Sequence, residues 1–428
     1  MRLLGTSLLL GALSVLAPCQ AKMTLEDALV SARSNNGTVL AAQLDFEAAK
    51  ASTRADYSSY LPTVTPNFSQ ENGRTNTYTG PNRGHDTFDT TDASVTARWL
   101  LFDNGERAAS YARSRAQRDQ AMYSTLDTLR AVLVDVHTSF FDALRSQELL
   151  KVANSSLERA LKLQDATEKR EQFGSGPKKD ILQARADALN AKVNVLTSQN
   201  QVSTTAATLK AVIGWPDETL PPLDDSQSSI PNVATYTLEE AFANGLKNRP
   251  SLLAARKRIE GSRFSVSLAR LNSGVSFQGV ANYNRSFSES VFDRTFFQLT
   301  ASVPLYDGSR SSESVRAAEL AYSADKASLT QSERDVKADI EAAYKSFKQN
   351  FDRLEASRLA REAAQLNFKA AEGAYREGAG TVLDQLTAQV SLATAESNYV
   401  QSYYDLLISD VRLKQVVGDP IPGEPSYK

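Results

Sequence analysis

Leu126, Leu129, Leu133, Val136, Phe140, Ala143, Leu150 and Leu157 recur at three- and four-residue steps, with polar residues at Gln147 and Asn154. That spacing is an apolar seam of the coiled-coil kind, interrupted by polar positions. It predicts a very long helix over Glu106–Glu171, and a second of the same kind over Ser311–Arg376. At ~1.5 Å per residue, ~65 residues extend ~100 Å. Such a helix does not fit inside a compact domain and must lie along partners.

Upstream of each long helix the period changes to two. Val64, Pro66 and Phe68 alternate with polar residues, as do Val95, Ala97, Trp99 and Leu101. Val275, Phe277, Gly279, Ala281 and Tyr283 follow the same rule, as do Phe297, Leu299, Ala301, Val303 and Leu305. Alternation over about ten residues predicts strands with one face toward apolar surroundings. The pattern alone fits a hairpin packed on a soluble core as well as a wall facing lipid. Before the strands stand two helices. The first opens at Thr24 or Thr237, each followed three residues on by Asp27 or Glu240, which is capping-box spacing. The second covers Val39–Tyr60 or Ser251–Leu271.

The chain is written twice. VIGWP at Val212 and VVGDP at Val416 lie 204 residues apart, and so do LFDNG at Leu101 and LYDGS at Leu305. The turns GSGPKKDIL from Gly174 and GAGTVLDQL from Gly378 share that offset, whereas TLEDAL at Thr24 and TLEEAF at Thr237 lie 213 apart. The first copy therefore carries nine extra residues, assigned to the polar run Glu71–Asp92, which reads as a long exposed loop. The organisation expected is a signal peptide at 1–21, a first repeat at 22–220, a linker at 221–235, a second repeat at 236–420 and a tail at 421–428. In each copy a glycine turn ends the long helix and starts one of about half the length, so the turn is the tip of a helical hairpin. Glycine costs about 1 kcal/mol inside a helix. Gly174, Gly176, Gly378 and Gly380 are expected to supply the reversal through positive φ.

Composition narrows the class. Of 428 residues only 20 are Gly and 14 Pro, which favours long helices over loops, and a net charge of −2 gives no nucleic-acid footprint. Arg2, an apolar run from Leu3 to Pro18 and CQA before Lys22 read as an export signal. Cleavage after Ala21 removes Cys19, the only cysteine. The rival reading makes Cys19 a lipid-modified N-terminus, since Leu16-Ala17-Pro18-Cys19 loosely resembles a lipobox. No later apolar stretch approaches the ~20 residues of a membrane-spanning helix. Soluble, periplasmic and outer-membrane strand proteins remain, the last giving only a weak signal per strand.

Nothing reads as an enzyme. His85 and His137 are the only histidines, so neither a metal cluster nor a histidine-based catalytic set can be assembled, and no cofactor is expected. GSGPKK superficially resembles a phosphate-binding loop but lacks the preceding strand and the Gly-Lys-Ser/Thr ending. Asp384 has the position of an N3 capping partner for Thr381 near the positive helix end. Asp180 after Gly176-Pro177 suits the same role, with proline at N1.

LPTVTPNFS, LLFDNGER, PLYDGSR, NRPSLLAAR and YREGAGTVLDQLTAQ, in this order through two copies, resemble the TolC-type outer-membrane efflux family over essentially the whole mature chain. The resemblance implies a mainly α protomer with a transmembrane β-barrel part. It further implies a homotrimer whose protomers each give four strands to a twelve-stranded barrel and long helical hairpins to a periplasmic tunnel. Its expected role is a passive outer-membrane exit duct, with small-molecule efflux placed ahead of type I protein secretion. The partners implied are a periplasmic adaptor (membrane fusion) protein, an inner-membrane transporter and outer-membrane lipid, without nucleic acid. Asp384 would form a pore constriction that attracts cations, weakened because Thr387 stands where relatives often carry a second aspartate. Gly174, Gly176, Asp180, Gly378 and Gly380 would form the tip that docks the adaptor, with Lys178 and Lys179 exposed there. Tyr375 would hold the gate closed, and Trp99 would mark the membrane interface. FGSGPKKDILQAR is two residues tighter between aromatic and aspartate than the family pattern, and Leu271-Asn272 replaces the usual Leu-Pro. The alternative is a non-conducting secreted or periplasmic coiled-coil scaffold.

Overall fold

The computed structural model describes residues 22–77, 84–174, 176–217, 219–225, 237–287 and 291–424. The export signal with Cys19, most of the linker and the end of the tail lie outside the described residues. The first copy gives α1 (Leu25–Asn35), α2 (Gly37–Ser58), β1 (Thr63–Thr77), β2 (Gly84–Phe102), α3 (Glu106–Gln172) and α4 (Lys178–Ile213). The second repeats the order as α5 (Leu238–Asn248), α6 (Pro250–Leu271), β3 (Ser276–Ser286), β4 (Phe292–Ser302), α7 (Arg310–Arg376) and α8 (Val382–Val417). Corresponding helices have equal lengths: 11, 22, 67 and 36 residues. The copies differ in the hairpin between their second and third helices.

That hairpin corrects the sequence reading. Residues 71–77 and 84–92 of the expected loop are strand, since β1 has 15 residues and β2 has 19, against 11 in each of β3 and β4; residues 78–83 lie outside the described residues. The ladder continues through Glu71↔Thr90 and Gly73↔Phe88, and the Phe88 ring lies across Gly73 where a side chain would stand. Threonine-rich polar strands pair well when backbone bonds and a covering aromatic replace an apolar face. At the other end β4 stops at Ser302 rather than running to Leu305, since Pro304 has no N–H to give the ladder.

The expected caps form. Thr24 N–H donates to Asp27 Oδ2 at 3.0 Å and Asp27 N–H to Thr24 Oγ1 at 3.2 Å. Thr237 and Glu240 repeat the box at 2.8 and 3.3 Å. The seam of α3 is buried at Leu129, Leu133, Val136, Phe140 and Ala143, then opens where Asn154 is exposed. Each fully buried side chain of that size contributes about 1.5–3 kcal/mol.

The described residues form two compact units. One contains residues 22–32, 135–225 and 354–407, including both helical tips; the other contains 33–134, 237–353 and 408–424, including the whole sheet. In the sheet unit Gly245 lets α5 approach Ile340 and the Val416 carbonyl, where a Cβ would stand 2.4 Å from Ile340 Cδ1. All four strands are antiparallel in the order β1-β2-β3-β4, with a bulge between Leu100 and Phe102. The β2–β3 pairing joins the two copies, and among the described residues β1 and β4 each keep one edge without a partner strand.

Candidate functional site

The sheet has two chemically distinct faces. Residues directly opposite in an antiparallel pair point the same way. One face runs through Val64↔Ala97, Pro66↔Val95 and Phe68↔Ala93, then Val95↔Tyr283, Ala97↔Ala281 and Trp99↔Gly279, then Ala281↔Phe297 and Gly279↔Leu299. It is apolar and uncovered, with Phe68 69% and Phe297 74% exposed. The other face carries Thr65↔Thr96, Asn67↔Ser94, Thr96↔Asn282, Ser94↔Asn284 and Gln278↔Thr300, with Val280 and Phe296 among them. Asn282 Nδ2 donates to Thr96 Oγ1 across it at 2.8 Å. Ala93 to Leu101 spans ~27 Å along the strand, or ~20 Å of height at a ~40° tilt, close to the ~25 Å apolar band of an outer-membrane wall. Arg285, opposite Ala93, and Asp293 pair at one end of this band at 3.7 Å. Trp99 lies toward the other, half exposed, its indole N–H donating to the Tyr60 carbonyl at 3.1 Å. An apolar ring with its one donor satisfied suits a membrane boundary.

The LFDNG and LYDGS motifs are strand-to-helix turns with an aspartate cap. Asn104 and Gly105 have φ of 54° and 92°, and Gly308 and Ser309 have 68° and 71°. Asp103 accepts from Arg107 N–H and Nε, each at 2.8 Å, while Arg107 Nη1 donates to the Leu100 carbonyl at 2.7 Å. Asp307 accepts from Ser311 N–H at 2.9 Å and from its hydroxyl, and these bonds hold its carboxyl below the usual range.

At the tips only the first glycine of each pair has positive φ, 72° at Gly174 and 79° at Gly378. This corrects the expectation for Gly176 and Gly380, which serve close approach instead. A Cβ on Gly380 would stand 3.1 Å from Tyr375 N and 3.2 Å from Ala374 Cβ, and one on Gly176 3.3 Å from Arg170 Cβ. The second tip has the full capping box. Thr381 N–H and Oγ1 donate to Asp384 Oδ2 at 3.1 and 2.6 Å, and Asp384 N–H donates to Thr381 Oγ1 at 3.1 Å. The Thr381 bonds hold the exposed Asp384 carboxyl below its ordinary value, so it is anionic at neutral pH. The first tip lacks this box. Pro177 is the N-cap rather than N1, and with neither side-chain acceptor nor N–H it gives Asp180 no reciprocal partner.

Tyr375 is buried in a cluster with Leu163, Ala184, Val382 and Leu386, which draws α3, α4, α7 and α8 together. The Arg170 guanidinium lies 4.1 Å over its ring and donates to the Tyr375 carbonyl and, at 3.2 Å, to that of Arg376. Burial raises the Tyr375 phenol, with Arg170 opposing the shift. Further along the helices Arg159 pairs with Glu396 at 2.9 Å and Gln389 donates to Asp187 at 3.0 Å. The sequence reading missed Arg170, which has no mark separating it from the other cations in the last turn of α3. Among the described residues no group of three or more His, Cys, Asp or Glu could hold a metal ion. No described helix is long and apolar enough to cross a membrane.

The model of the family described as outer membrane efflux protein matches residues 28–215 and 243–419. The chain is 23% identical to outer membrane protein TolC of Vibrio cholerae over 75% of its own length and 73% of the relative's. It is 27% identical to the pyoverdine export outer membrane protein OpmQ of Pseudomonas putida, over 77% and 73%. The crystal structure of CusC superposes with a TM-score of 0.81 at 16% identity, covering 92% of each chain.

Proposed function

This chain belongs to the outer membrane efflux protein family, and from that premise we propose that three copies of it build one passive exit duct through the outer membrane. The sheet carries the reading: an exposed apolar face, a polar face and two unpaired edges. In lipid an unpaired backbone group costs several kcal/mol, so an open edge must close. Four strands are too few to close alone, and eight give an interior filled by side chains. Three copies, each setting β1 against the next copy's β4, give twelve strands and a lumen lined by the polar face. Trp99 then sits at the lipid interface.

Energy enters elsewhere. A periplasmic adaptor and an inner-membrane transporter deliver cargo, with the adaptor docking at the tips formed by Gly174, Gly176, Asp180, Gly378 and Gly380. Three Asp384 carboxylates face the mouth as a cation-attracting ring, their capping bonds fixing each in place. Arg170 and Tyr375 link the two hairpins of a protomer and keep the mouth closed until the tips untwist. Small-molecule efflux is the cargo class we favour, because the more similar of the two relatives above is named for pyoverdine export. The test is extraction and reconstitution. The duct requires detergent for extraction and gives unitary conductance steps in a planar bilayer. A scaffold protein would leave the cell fraction without detergent and conduct nothing.

A further inference from the structure

Charge is unevenly spread over the polar face of the sheet. By strand register, the ionisable side chains on it among the described residues are Glu71, Asp86, Asp92, Arg98 and Arg294. Glu71 and Asp86 stand where β1 and β2 outrun β3, and Asp92 sits in the outermost β2–β3 pair, opposite Ser286. Arg294 is one row further in, level with Ser94 and Asn284, its guanidinium 5.4 Å over the Phe296 ring. The three acids and Arg294 thus share one end of the sheet. Arg98 holds the other end, where β2 leads into α3. It stands six residues from Asp92, ~20 Å along the strand, between Thr63 on β1 and Val280 on β3. Its side chain is exposed and, among the described residues, forms no ion pair. The nearest charges along the chain, Asp103 and Arg107, pair with each other at 2.8 Å and add no net charge.

Closure into a barrel multiplies this charge. Three-fold symmetry sets one Arg98 from each copy at the same height. With strands ~4.8 Å apart and tilted ~40°, twelve close at a backbone radius of ~12 Å, so arginines reaching ~6 Å inward leave their guanidinium groups ~10 Å apart. An anion between them would lie ~6 Å from each, inside the ~8 Å Debye length of physiological salt. The three fields therefore add, and low-dielectric walls focus them on the lumen. A guanidinium keeps its charge at every accessible pH and takes a carboxylate through two parallel N–H bonds. Thr63, Thr96 and Gln298 surround it with neutral polar groups, so nothing in the nearby rows cancels the charge.

We propose that Arg98 forms a basic ring in the barrel lumen, at its helix end, which selects and transiently binds small organic anions carrying carboxylates. The ring rests on the three-copy reading and is opposite in sign to the one assigned to Asp384. Planar-bilayer recording of the full chain tests it, with citrate at neutral pH as the probe. In dilute salt, citrate is expected to block the wild-type channel, and the block should fade near 1 M salt, where the Debye length is ~3 Å. Arg98→Gln should weaken the block by about tenfold or more, whereas Arg98→Lys keeps the charge and most of the block. Arg294→Gln, next to the row of Asp92, should weaken it less. Arg98→Cys separates charge from folding, because it is modified after assembly. A thiol reagent that attaches an ammonium should restore the block and one that attaches a sulfonate should abolish it, neither acting on the wild type. A conducting wild-type channel that citrate does not block, or equal block in Arg98→Gln, overturns the ring and leaves the duct standing. Relief by Arg294→Gln but not by Arg98→Gln also overturns it. Protein that extracts as a monomer and never conducts overturns the duct and the ring together.

Discussion

Replacing Arg170 by alanine tests how the mouth is held. The guanidinium lies 4.1 Å over the Tyr375 ring and donates to two carbonyls at the second tip. A cation–π contact at a partly exposed site is worth about 0.5–1 kcal/mol. A hydrogen bond to a charged donor adds about 1.5 kcal/mol at the lower end of its range. In the proposed gate they would together stabilise the closed arrangement by roughly 2–2.5 kcal/mol per protomer, a factor of about 30–60 in a two-state equilibrium, since 1.4 kcal/mol is tenfold. Single-channel conductance of reconstituted protein reads this directly. Arg170→Ala is expected to raise mean conductance strongly, and Arg170→Lys to fall between, keeping the charge but losing the planar fork. Tyr375→Phe keeps the ring beneath the cation and should change little. An Arg170→Ala channel with wild-type conductance, or a Tyr375→Phe channel as open as it, would refute the reasoning.

Four further outcomes follow from the same geometry. Asp384→Ala removes the capping carboxylate and, in the proposed ring, all three of its charges, so block of conductance by multivalent cations should weaken. Because Thr381 lowers the folded carboxyl's pKa, the cap's stabilisation is present above the ordinary aspartate range and is lost as pH falls through the lowered value; hydrogen exchange at the tip, followed against pH, checks the sign. Gly378→Ala forces a side chain onto φ of 79°, at a cost of about 1–2 kcal/mol, and should loosen that tip by hydrogen exchange while thermal unfolding of the sheet unit is unchanged. Phe297→Arg places a charge on the apolar face at a cost of about 2–4 kcal/mol near the bilayer midplane and should cut recovery from outer membranes, whereas Gln298→Arg on the opposite face should insert normally.

Much of this fold was legible because long periodic segments carry their own rule. The start and end of α3 and α7 followed from the seam and the flanking motifs, and the duplication followed from repeated landmarks at one offset. The extended β1–β2 hairpin was not legible, since residues such as Thr90 and Asn72 follow no apolar alternation and lie in a ladder held mainly by backbone bonds. At the mouth, Asp384 and Thr381 could be read from local spacing, because a capping box spans four residues. Asp180 could not, as its failure depends on Pro177 shifting into the N-cap. Arg170 was invisible for a different reason: its partners lie about 205 residues away, and a cation in a last helical turn already has an ordinary use against the helix dipole.

The most direct test of the central claim is the mass of the detergent-extracted particle, by light scattering corrected for bound detergent, with electron-microscope images of the same sample. The account predicts three chains in one particle, with a closed barrel at one end and a helical tube at the other. A monomer, or a two-chain rod without a barrel, would contradict it.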